Sequence, residues 1–117
     1  MIANATSLQV SDRANIVMRV LAAMRACGVQ RVLMMPENGG IRSLLKRGLQ
    51  REKQLGDNRF PELEMTDTQI SGTVDDTFAA TQAMVDSGVK AIVVLGGDGT
   101  HRAVAKVCGQ VPIAGIS

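Results

Sequence analysis

The residues of this chain that could do chemistry gather in one stretch, VVLGGDGTH, from Val93 to His101. Gly96, Gly97 and Gly99 surround the carboxylate of Asp98 directly after an aliphatic run, and Thr100, His101 and Arg102 follow. Glycines let a backbone turn sharply and approach a ligand, and the amides at a helix start attract phosphate. A carboxylate there would repel phosphate unless it binds a metal or faces an incoming nucleophile. Asp98 therefore suggests phosphoryl transfer, accepting a hydroxyl proton or holding magnesium. The competing account is that Asp98 only bonds amides of a glycine-rich turn. Two familiar loops are excluded: no lysine follows the glycines, as a P-loop requires, and Arg102 stands where a dinucleotide fingerprint needs its third glycine.

The flanking segments predict what positions this turn. SDRANIVMRVLAAMRACG reads as a helix opened by Ser11 and closed at Gly28, with Ile16, Val17, Val20, Leu21 and Met24 on one face. VQRVLMMP reads as a buried strand, and GGIRSLLKRGLQREKQLG as a helix through Ile41, Leu44, Leu45 and Leu49. Gly48 weakens that helix by about 1 kcal/mol relative to alanine. PELEMTD alternates like a strand with one wet face. Thr73 and Asp76 have capping-box spacing ahead of a helix whose Val74, Phe78, Thr81 and Val85 share a face and which stops at Gly88.

VKAIVVLGG is a continuous aliphatic run, the pattern of a strand buried on both faces. THRAVAKVCG then predicts a short helix after Thr100 with Ala103, Val104, Val107 and Cys108 inward, and VPIAGIS a further strand. This alternation predicts an α/β fold, a three-layer sandwich with a mainly parallel sheet. In such sheets ligands collect beyond the carboxyl ends of strands, where GGDGT falls.

At 117 residues the chain has the size of one domain. A net charge of +2, no Trp or Tyr and two Phe argue against nucleic acid. Cys27 and Cys108 form no disulfide or zinc pattern and read as small inward apolar residues, which fits a reducing, cytoplasmic setting. The start of the chain lacks signal-peptide character and no apolar run approaches a bilayer span, so no membrane partner is expected.

Other polar residues have plainer accounts. His101 could donate to a phosphate, or be a partly exposed polar residue near a helix start. Arg102 could reach an anion, whereas Lys106 suits the C-terminal end of the helix dipole. Arg42, Lys46, Arg47, Arg51 and Lys53 make the second helix basic, which could face an acidic partner or nucleotide phosphates; solvation of an outer face is the better account, since Glu52 and several glutamines interrupt the series. Asn38, Gly39 and Gly40 follow a strand end and so would lie on the ligand-binding rim, though a turn into that helix is the better account.

GGDGT after an aliphatic strand is similar to the signature of the NAD kinase, diacylglycerol kinase and phosphofructokinase superfamily. The longer stretches AIVVLGGDGTHRAVAK and VPIAGIS, with ANATSLQVSDRANIVMRVL and RVLMMP upstream, resemble the ATP-NAD kinase-like proteins of acetoin catabolism over nearly the whole chain. The resemblance implies an NAD kinase N-terminal domain-like fold, Asp98 as catalytic aspartate, and Gly96, Gly97, Gly99 and Thr100 as the phosphate turn. ATP, NAD and Mg2+ are the ligands it implies.

Family members usually begin with another strand and an Asn-Pro-Ala-Ser-Gly-like loop, and continue past the equivalent of Ser117 into a β-rich C-terminal domain. Residues 1–117 are thus expected to form a single α/β domain, an internal part of the N-terminal domain of a longer two-domain protein and inactive alone. A sheet edge left open by the first strand's absence predicts a homo-oligomer. The second expectation is a nucleotide-binding or regulatory module of acetoin metabolism without kinase activity.

Overall fold

A computed structural model describes residues 2–36, 40–56 and 59–116, with side chains from Asp12 onward. Asn38, Gly39 and Ser117, named above, lie outside the described residues. Helices and strands alternate as α1 (Ile2–Ala26), β1 (Arg31–Met34), α2 (Ile41–Gln54), β2 (Glu62–Met65), α3 (Val74–Asp86), β3 (Ile92–Leu95), α4 (Asp98–Val107) and β4 (Ile113–Ile116). The α/β alternation expected from the sequence is present. Its strands are short and, among the described residues, form two two-stranded sheets, β1 with β2 and β3 with β4, rather than one continuous sheet. The chain divides into two compact units, residues 1–32 with 37–64 and residues 33–36 with 65–117.

In the first unit α1 packs on α2. The helix α1 runs from Ile2 through Ser11, so Ser11 lies inside it and does not open it. Ala14, Val17 and Leu21 are buried at helical spacing, and Leu45 of α2 is fully buried at 0% exposure. Ile16, expected on the inward face, is exposed. Gly48 gains a packing reason for its weak propensity: a Cβ there would stand 2.9 Å from the Met18 methyl. The absent side chain admits the thioether between the helices. The alternation of β2 is as read, with Glu62 and Glu64 exposed and Leu63 half-buried, and Arg31 pairs with Glu64 on the wet face.

In the second unit β3 and β4 run parallel, pairing Ile92 with Ile113 through Leu95 with Ile116. Ile92 and Val94 are buried with Val104 of α4 and Cys108 just beyond its end, and Met84, Val85, Val89 and Val111 close around them. The strand β3 is therefore buried on one face: Val93 is half-buried and Leu95 exposed, because β4 is its one paired neighbour among the described residues. Of the helix face expected on α3, Thr81 is buried, while Val74 is 54% exposed, so the inward stripe is Asp76, Ala80 and Thr81. Cys108 is buried as read, whereas Cys27 is exposed, because α1 has ended at Ala26 and the chain is already turning away.

The start of α3 differs from a capping box in its bonding. Thr73 caps by accepting from the Asp75 amide, and the Asp76 carboxylate, beside the Thr73 amide, reaches further back over the preceding loop. It accepts from the Ser71 amide at 2.8 and 2.9 Å, the Gly72 amide at 2.8 Å and the Ser71 hydroxyl at 2.5 Å. The Ser71 hydroxyl and amide, with smaller help from the Gly72 and Thr73 amides, hold the Asp76 carboxyl below the usual carboxylate range. Its stabilising contribution is thus complete above about pH 4 and fades as pH falls through the lowered value. Asp76→Asn is expected to lower the urea midpoint at neutral pH, and the gap to the wild type to close on acidification.

Candidate functional site

The chain leaves β3 at Leu95 and enters α4 at Asp98 with two residues between. Gly96 has φ +152°, in the region that favours glycine, and its amide donates to the Ile116 carbonyl at 3.4 Å. A Cβ on Gly96 would press on the Thr100 hydroxyl at 3.2 Å, so the first turn of α4 folds directly over this glycine. Gly97 is the extended N-cap and offers no side-chain cap, while its carbonyl accepts from the His101 amide at 3.2 Å.

The helix therefore begins at Asp98, three residues before the start expected after Thr100. Asp98, Gly99 and Thr100 form its first turn, whose amides have no partner within the helix by geometry. The positive end of the helix dipole favours a carboxylate at this place. Gly96, Gly97, Asp98 and Gly99 are exposed, Thr100 is half-buried, and among the described residues the Asp98 carboxylate takes none of the turn's amides. The account in which Asp98 only braces the turn finds no such bond here.

His101 is half-buried, and its ring lies against β4. A Cβ at Gly115 would fall 1.9 Å from its Cε1, 2.7 Å from Nδ1 and 2.9 Å from Nε2. The imidazole thus rests on bare backbone. Arg102 is exposed one residue later, and Lys106 is exposed in the last turn. The structure brings together Gly96 to Thr100, His101 and the end of β4. Gly115 and Ile116 were not singled out from sequence, although an isolated glycine inside a strand pattern is the known sign of close backbone approach.

A phosphate fits the turn's three exposed glycines and uncapped amides. Magnesium is usually held by one or two carboxylates with phosphate oxygens and water, and Asp98 can serve as that one carboxylate. Among the described residues no group of three His, Cys, Asp or Glu comes together as a self-sufficient metal centre. No helix among them is long and apolar enough to cross a membrane.

On α2 the basic residues are exposed: Arg42, Lys46, Arg47, Arg51 and Lys53. Glu52 is not among them on the outer face, because its side chain is 18% exposed and accepts from Arg59 at 2.7 Å. The interruption by Glu52 is absent in space, while Gln50 and Gln54 stay exposed among the cations.

The model of the ATP-NAD kinase N-terminal domain matches residues 1–117. The chain is 56% identical over 116 residues to a protein called acetoin catabolism protein X from Cupriavidus necator, covering 99% of this chain and 32% of that protein. It spans about a third of the length of that curated relative. No solved structure matches significantly. With a match across its full length and a parallel β3–α4–β4 unit carrying GGDGT, the chain belongs to the ATP-NAD kinase N-terminal domain family.

Proposed function

We propose that these residues carry the phosphate turn and catalytic aspartate of a protein that transfers a phosphoryl group from ATP to a hydroxyl of NAD. The observation that carries the reading is the start of α4: three glycines and an exposed Asp98 at an N-terminus without a side-chain cap, at the carboxyl end of β3. The exposed amides of the turn hold phosphate oxygens, and Thr100, His101 and Arg102 stand around them. Asp98 takes the proton of the acceptor hydroxyl as its oxygen bonds to the γ-phosphorus, the bond to the β-phosphate oxygen breaks and ADP leaves. Magnesium, when bound, neutralises phosphate charge.

Residues 1–117 form part of the N-terminal domain of a longer two-domain protein in this reading, with the complete domain a three-layer sandwich around a mainly parallel sheet. The protein is cytoplasmic and homo-oligomeric, and binds neither nucleic acid nor membrane. A second reading, a nucleotide-binding or regulatory module of acetoin metabolism without kinase activity, is favoured by the likeness to acetoin catabolism protein X.

The test is an assay of ADP and phosphorylated NAD with ATP, magnesium and NAD, on the full-length protein and on the 117-residue chain. Turnover by the longer form and none by the shorter is the expected outcome. Nucleotide binding without turnover in the longer form would establish the second reading.

A further inference from the structure

Five of the thirteen Lys and Arg residues fall between Arg42 and Lys53, in a chain whose net charge is only +2. Helical spacing sets them on the solvent half of α2: Arg42, Lys46 and Lys53 lie along one line, and Arg47 with Arg51 along a second. The first line is about 16 Å long at the helical rise. The opposite half holds the fully buried Leu45, half-buried Ile41, Leu44 and Leu49, and Glu52 turned toward Arg59.

The fold's own needs explain only part of this series. Arg51 and Lys53 occupy the last turn, where cations suit the dipole. Lys46 and Arg47 are in mid-helix, and like charges four residues apart, as in Arg47 and Arg51, weaken a helix. Solvation alone is served as well by mixed charges, yet among the described residues of α2 no acid shares this face. At its C-terminal end Leu55 is 72% exposed, the largest exposure among the big apolar residues described.

We infer that the outer face of α2 docks an acidic segment of a partner protein, whose carboxylates meet Lys46, Arg47, Arg51 and Lys53 and whose apolar side chain covers Leu55. Charge complementarity identifies the partner's sign, and Leu55 its class. A nucleic acid would use the cations but offers nothing apolar for Leu55, and no aromatic residue stands on this face to stack a base. A membrane surface would want an apolar face beside the cations, and that face of α2 is already packed on α1.

The test measures binding of a labelled twelve-residue peptide of glutamates with one terminal leucine to the full-length protein, by fluorescence anisotropy. Parallel titrations use a double-stranded DNA of similar charge and vesicles containing phosphatidylserine. The expected result is saturable peptide binding that weakens as salt is raised through the physiological range. The combined variant Lys46→Glu, Arg47→Glu, Arg51→Glu, Lys53→Glu should lose at least tenfold in affinity. Leu55→Ala should lose severalfold for this peptide and nothing for one lacking leucine.

These positions are exposed, so circular dichroism should be unchanged. If the fourfold reversal fails to fold, the pair Lys46→Gln, Lys53→Gln, expected to lose severalfold, and the leucine comparison decide. No peptide binding by the wild type, equal binding by the reversed variant, indifference to Leu55, or tighter binding of DNA or vesicles would overturn the inference.

Discussion

Asp98→Asn in the full-length protein is expected to cut turnover by roughly 10²- to 10⁴-fold, the usual contribution of a positioned general base, with ATP still held. The asparagine keeps the shape and a hydrogen-bonding oxygen at the first position of α4 but cannot take up the hydroxyl proton. The fold should tolerate the change, since Asp98 is exposed and the turn's bonds are made by backbone: Gly96 to Ile116 and His101 to Gly97. Initial rates at saturating ATP, beside a thermal shift with ATP alone, measure the two quantities separately. A variant that turns over normally would remove Asp98 from the chemistry. One that loses ATP binding in parallel would give the carboxylate a role in holding the nucleotide, through its metal.

Gly115→Ala is expected to cost about 1–3 kcal/mol, the range for forcing extra volume into packed structure. The new methyl would stand 1.9 Å from the His101 ring, with both ring nitrogens within 2.9 Å, so no small adjustment suffices and the imidazole must leave β4. The helix carrying that ring also carries Asp98 and Thr100. In the full-length protein the same substitution should therefore lower turnover, since small displacements of a reacting group are costly. Denaturant unfolding of the two single variants and of His101→Ala with Gly115→Ala tests the contact. Removing the ring should relieve most of the alanine's cost, and additive effects would show that the two residues do not meet.

The alternation of helix and strand was legible because apolar periodicity and glycine punctuation survive in short elements. Leu45 at helical spacing, the wet glutamates of β2 and Gly88 after α3 all stand where their local patterns put them. What the pattern could not show was which strands pair. A continuous aliphatic run at Ile92 to Leu95 fits a strand covered on both faces, and Leu95 is exposed because coverage depends on distant chain. Helix starts were likewise misread where a single residue type carried the argument. Ser11 lies inside α1, and Asp98 rather than a residue after Thr100 begins α4.

The motif itself was legible and its support was not. GGDGT announces a sharp turn by composition, but the ring of His101 on the backbone of Gly115 joins residues fourteen apart that no local pattern links. Glu52 gives a similar lesson. In sequence it breaks a basic series, and in space its bond to Arg59 takes it out of that series.

The thioether of Met18 and the missing side chain of Gly48 make one joint fact about two helices. Neither position is free to drift by itself. Enlarging residue 48 displaces the methionine end, and shortening residue 18 leaves a gap that glycine cannot fill. Across related chains these two sites should therefore be inherited as a pair, a bulky residue at one matched by a small one at the other.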